Sequence, residues 1–243
     1  DLLNPNNRFF RSVHIERDFS DPAALSGYIL SEHTLSCLER IAKGLKEHSG
    51  QRAWRITGNY GSGKSSFALF LARWFSGQEL PSPIRKATDG RRFTEMKPDM
   101  VPVLITGSRE PLGLAILKAL HGSVRRLYVN GRQPPLLTAL DNCLQSKEGI
   151  ADDQIINLVL EVNGRIIADD KGNGLLLILD ELGKFLEFSA LYPESQDIFL
   201  LQRLAETASR SAEKPLFVVG LLHQGFSAYA DQLSQSGQRE WEK

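Results

Sequence analysis

Hydrophobic positions along the chain alternate between two kinds of pattern, and the alternation lays out a succession of strands and helices. Residues 175–179, Leu-Leu-Leu-Ile-Leu, are five consecutive aliphatics. Such a run is too short to cross a membrane and suits a strand buried on both faces, as in a parallel sheet covered by helices. Residues 216–222 read the same way, and shorter β-prone runs occupy 53–57 and 101–106. Between these runs apolar residues recur at helical spacing. Phe67, Phe70, Leu71, Trp74 and Phe75 mark one helix, and Leu112, Ala115, Ile116, Ala119 and Leu120 mark a second that starts at Pro111. Ile155, Ile156, Val159, Leu160, Ile166 and Ile167 mark a third, with Asp152 as its cap, and 171–174 ends it. A fourth starts at Pro193 and carries Ile198, Leu201, Leu204, Ala205 and Ala208. Ser31 caps a helix bearing Leu35, Leu38, Ile41, Ala42 and Leu45 that ends near Gly50.

The segments without a clear period complete the layout. Residues 1–27 hold the breakers Asn4-Pro5, Asp21-Pro22 and Gly27 and read as a segment wrapping the core, which occupies 28–243. Residues 122–149 carry Pro134-Pro135 and read as a connection with one short helix near 136–144, the first part of a helical insertion over about 122–170. Residues 77–98 are polar, broken by Pro81, Pro83 and Gly90, with Arg85, Lys86, Arg91, Arg92 and Lys97. That stretch is either a solvated loop or a contact for a phosphate backbone. The expected fold is α/β in three layers, a mostly parallel five-stranded sheet with helices on both faces.

The chemistry concentrates just after the first strand. Gly58-Asn-Tyr-Gly-Ser-Gly-Lys-Ser65 has the spacing G-x-x-x-x-G-K-S, in which every fixed residue has a phosphate-handling reason. The glycines let successive backbone N–H groups point at phosphates, Lys64 reaches the β- and γ-phosphates, and the Ser65 hydroxyl completes a Mg²⁺ shell. The helix that follows adds the positive end of its dipole. The phosphate-binding set is then Gly58, Asn59, Tyr60, Gly61, Ser62, Gly63, Lys64, Ser65 and Ser66. Tyr60 is bulky for such a loop and either caps it or packs against something upstream.

The second cluster is Asp180-Glu181, placed at the end of the aliphatic strand where open α/β sheets bind ligands. Asp180 is the expected Mg²⁺ partner, in the role of a Walker-B aspartate, and Glu181 the base or orienter for an attacking water. That pair favours hydrolysis of ATP over transfer to an acceptor. Nothing resembles the Asn-Lys-x-Asp guanine motif, so ATP is the expected nucleotide. Tyr28 and Ile29 either line an adenine pocket or belong to the core.

Composition narrows the class without changing it. The 243 residues are 42% hydrophobic and 24% charged with a formal net charge of +0. That supports a sizeable core and does not advertise a basic nucleic-acid face. Cys37 and Cys143 form no C-x-x-C pair, so neither a disulfide framework nor a zinc site is indicated, and a reducing cytoplasm is expected. No apolar run reaches membrane length. A chain that opens on Asp1 and stops at Lys243 in a polar stretch reads as part of a larger protein.

A whole strand, 101–106, separates the loop strand from the Asp-Glu strand in sequence. In this respect the chain resembles the additional-strand division of P-loop NTPases, which includes the AAA+ and STAND ATPases. The resemblance implies that strand 216–222 lies between the other two and ends in a polar sensor of the γ-phosphate, either His223 or Gln224. The stretches 56–67, 179–187 and 221–226 are also similar to the ATPase cores of large bacterial phage-defence proteins such as those of BREX systems. That likeness implies ATP-driven assembly or remodelling, self-association or partner subunits, and as the alternative a slow nucleotide switch governing an effector. The AAA+ lid would follow Lys243. Arg210 and Arg239 are either trans-acting arginines or ordinary surface residues.

Overall fold

The computed structural model describes residues 13–96, 98–129, 134–146, 150–192, 197–225 and 229. In chain order the elements are α1 (Ile15–Asp18), α2 (Glu32–Ala42), β1 (Ala53–Thr57), α3 (Lys64–Phe75), α4 (Ser82–Thr88) and β2 (Val101–Thr106). Then come α5 (Leu112–Leu127), α6 (Pro135–Gln145), α7 (Asp152–Ala168), β3 (Leu175–Asp180), α8 (Gly183–Leu191), α9 (Asp197–Arg210) and β4 (Leu216–Leu222).

The four strands form one sheet in the order β1-β4-β3-β2, and every pairing is parallel. β4 thus lies between β1 and β3. The sheet has four strands among the described residues where five were expected, because each of the four β-prone runs makes one strand and no other does. β3 and β4 are buried along their whole length, as continuous aliphatic runs require.

Alternate residues of each strand feed two cores. Leu175, Leu177, Leu179, Val103, Ile105 and Val218 face one side, where α5, α6, α7, α8 and α9 cover them with residues such as Leu120, Leu140, Val159, Phe185 and Leu204. Leu176, Ile178, Leu104, Phe217, Val219 and Leu221 face the other, packed by α2 and α3 through Leu38, Ile41, Phe70 and Leu71. Parallel strands joined by helices place all four carboxyl ends along a single edge of the sheet. The glycine loop, Asp180 and His223 all lie at that edge.

Several boundaries differ from the periodicity reading. The polar stretch after α3 contains α4, because Pro81 precedes the helix and Pro83 sits in its first turn, where a missing N–H costs nothing. Its basic residues are partly spent on internal pairs: Arg91 bridges Glu32 at 2.7 Å and Glu39 at 3.3 Å, and Arg85 meets Glu79 at 3.4 Å. Lys97 lies outside the described residues. α5 runs on through Gly122 to Leu127, and α7 is capped at Ala151 with Asp152 as its first residue. Pro193 lies outside the described residues, and α9 is described from Asp197. α8 was not among the expected helices, since no element was read between Glu181 and Pro193.

The segment before α2 is tied to the core. Ile15 and Leu25 are buried, and the Arg73 guanidinium of α3 donates to the carbonyls of Phe19 and Asp21. No helix among the described residues is long and apolar enough to cross a membrane. Cys37 and Cys143 are both free thiols.

Candidate nucleotide-binding site

The glycine loop links β1 to α3. Gly58 continues the β1 ladder, its N–H donating to Leu222 O at 3.2 Å, and Ser62 N–H donates to Asn59 O to close the turn. Gly61 and Gly63 have φ of 75° and 83°, a left-handed conformation that side chains disfavour. Lys64, the first residue of α3, is buried, and its Nζ donates back across the loop to the carbonyls of Gly58 and Asn59, at 2.8 Å to the latter. Burial holds its pKa below the usual lysine value, with the Asp180 charge opposing.

Asp180 ends β3 beside Thr106 of β2. It is 4% exposed. Burial pushes its carboxyl above the usual aspartate range, while a hydrogen bond from the Ser65 hydroxyl and one from Glu181 N–H at 2.9 Å pull the other way. The loop serine and the strand-end aspartate are therefore neighbours. Among the described residues no group of three or more His, Cys, Asp or Glu side chains can hold a metal by itself. Ser65 and Asp180 nevertheless offer the two oxygens that a Mg²⁺ ion takes from a protein when phosphates and waters supply the rest. The donor set fits that ion.

Glu181 departs from the regular strand. Its φ is 52°, uncommon for a residue with a side chain, and its neighbours hold it there. Leu182 N–H donates to Leu221 O and Lys184 N–H donates to Glu181 O, each at 3.0 Å. Gly107 lies directly beneath: a Cβ there would come within 2.1 Å of the Glu181 carbonyl oxygen. The Glu181 carboxylate pairs with Lys184 Nζ from the first turn of α8.

His223 follows β4. Its ring stacks on Tyr60, with centroids 3.6 Å apart and planes 18° apart. Burial, then the Lys64 charge, holds its pKa below the usual histidine value, against Glu181 and Asp180. Gln224 is exposed, and so are Asn59, Gly61 and Ser62, while Gly63, Ser65 and Ser66 are half-buried.

Gly107, Thr106, Lys184 and Tyr229 were not singled out by sequence. Among the described residues Thr106 Oγ1 is buried with no partner beside Asp180, and the Tyr229 hydroxyl lies against the backbone at His223 and Gln224. None of the four carried a signal in the sequence, because the helix that brings Lys184 to Glu181 was itself not read there. Tyr28 packs into the α2–α3 core against Phe70 at 6.2 Å, and burial pushes its hydroxyl up to about 12, whereas Ile29 is 85% exposed. Arg210 ends α9 just ahead of β4, at the sheet edge opposite the glycine loop, and Arg239 lies outside the described residues.

A cavity of about 280 Å³ lies along the open edge of β2, lined by Glu16, Phe19, Glu110, Lys118 and Arg126, and it meets the site only through Thr106. Two of its charges are already paired, Glu110 with Lys118 at 2.6 Å. The glycine loop, by contrast, is an open surface whose polar groups converge. No protein-family model matches the chain, and no curated protein is significantly similar to it.

Proposed function

We propose that this chain binds Mg·ATP at the carboxyl edge of its sheet and hydrolyses it. The observation that carries the reading is the proximity of Ser65 and Asp180, two residues from separate motifs, each with a reason to hold the same ion. Supporting it, Lys64, Glu181 and His223 all lie close enough to Asp180 to influence one another's charge.

In this reading the loop amides and Lys64 hold the phosphates, and Ser65 and Asp180 hold the metal. Bound Mg²⁺ would neutralise charge on the phosphates. Glu181 accepts the proton of a water whose oxygen attacks the γ-phosphorus. The bond from that phosphorus to the β–γ bridging oxygen breaks, and ADP leaves with the electron pair. His223, rather than exposed Gln224, is the group placed to meet the γ-phosphate. Catalysis rests on positioning and charge, since phosphoryl transfer asks little covalent chemistry of a protein.

The biological reading is an AAA+/STAND-like module that drives assembly or remodelling in a larger complex, of the kind found in phage defence. A slow switch is the second reading, and the Glu181–Lys184 ion pair favours it, because the carboxylate must share or leave that lysine to serve a water. Thermal-shift titration with Mg·ATP, Mg·ADP and Mg·GTP, followed by phosphate release with and without DNA, tests the site, the base and the mode. Equal responses to ATP and GTP would reject the choice of base, and no response to any of them would reject the site.

A further inference from the structure

Tyr60 has no core to serve. It is 80% exposed, yet its ring lies flat on His223 at 3.6 Å. This contact joins the glycine loop to the end of β4, two of the four segments that meet at the site. Stacking fixes the plane of an imidazole while leaving its nitrogens free to bond within that plane. One of those nitrogens is unused: His223 Nδ1 is buried and has no hydrogen-bond partner among the described residues. Buried polar atoms are nearly always satisfied, so Nδ1 calls for a partner, and a bound phosphate is one that can supply it. The charged groups that act on this ring are Lys64, Glu181, Asp180 and Lys184, so the ring stands among the groups that would surround a terminal phosphate.

We propose that Tyr60 is a positioning residue that sets the plane of His223, so that Nδ1–H donates to the γ-phosphate and the pair distinguishes ATP from ADP. This rests on reading the site as one for Mg·ATP. The tautomer required carries the proton on Nδ1, and Tyr60 acts only through the ring it holds. Phenylalanine at position 60 keeps the stack, whereas alanine removes it.

Calorimetric titration with Mg²⁺ plus either ADP or the β,γ-imido analogue of ATP tests this on the parent chain and on Tyr60→Ala, Tyr60→Phe, His223→Ala and the Tyr60→Ala/His223→Ala double variant. Tyr60→Ala should weaken the triphosphate analogue about 3- to 10-fold, the size of one hydrogen bond. ADP should change by less than about twofold, Tyr60→Phe should match the parent, and the double variant should equal His223→Ala. Equal weakening of both nucleotides, no weakening of either, or additive losses in the double variant would overturn the role of Tyr60 while leaving the site intact. A parent chain that binds neither nucleotide overturns the site and this role together. Because Tyr60 is on the surface, unchanged melting of Tyr60→Ala confirms that the fold is not what was altered.

Discussion

The Ser65 hydroxyl lies near enough to the Asp180 carboxylate to favour its charged form, although the two residues belong to different strand–loop units with a third strand and four helices between them in sequence. Both sit at carboxyl ends of parallel strands, so the sheet itself delivers the contact. Around it stand one cation held by loop carbonyls, one carboxylate on a left-handed residue and one stacked imidazole.

Lys64→Ala should abolish tight Mg·ATP binding. Removing a charged donor from a phosphate leaves that charge unpaired, which costs about 2–5 kcal/mol. Affinity should therefore fall at least about 30-fold, measured by calorimetry. Lys64→Arg should fail as well, because a planar fork cannot replace a point charge that fits under a tight loop.

Glu181→Gln should bind Mg·ATP as well as the parent and turn it over about 10²- to 10⁴-fold more slowly. Phosphate release together with nucleotide affinity checks both halves. Turnover at the parent rate would remove Glu181 from the reaction.

Gly107→Ala should cost about 1–3 kcal/mol of stability, since the added methyl meets backbone rather than a flexible side-chain end. Urea unfolding measures it. The same shift moves Glu181, so kcat should fall while KM for ATP stays near the parent value. Retained stability and turnover would show that the two segments part easily.

Asp180→Asn should be more stable than the parent near neutral pH in EDTA. Burial raises the folded-state pKa of Asp180 above its unfolded value. Between those two values the folded chain binds more protons than the unfolded one, so stability falls as pH rises through that window. The asparagine is free of this loss, and its advantage should vanish as pH drops below the usual aspartate range. Melting temperatures across pH report the difference, and the variant should lose Mg²⁺-dependent nucleotide binding.

Local sterics and burial dictate several pieces directly from the order of residues. The runs 53–57, 101–106 and 216–222 became β1, β2 and β4 with those bounds, and β3 added only Asp180. An uninterrupted aliphatic run has no solvent face to offer, so it can only be an interior strand. The glycines announced a loop whose backbone N–H groups can turn inward, and Gly61 and Gly63 adopt the left-handed conformation that few other residues do. Tertiary structure alone decided what meets across the sheet: Ser65 with Asp180, Tyr60 with His223, Gly107 under Glu181 and Lys184 on its carboxylate. Those contacts depend on strand order, on the left-handed bend at Glu181 and on a short helix, α8, that no hydrophobic period announced. Periodicity records which face of an element is buried, and it carries no record of which distant element will lie against that face.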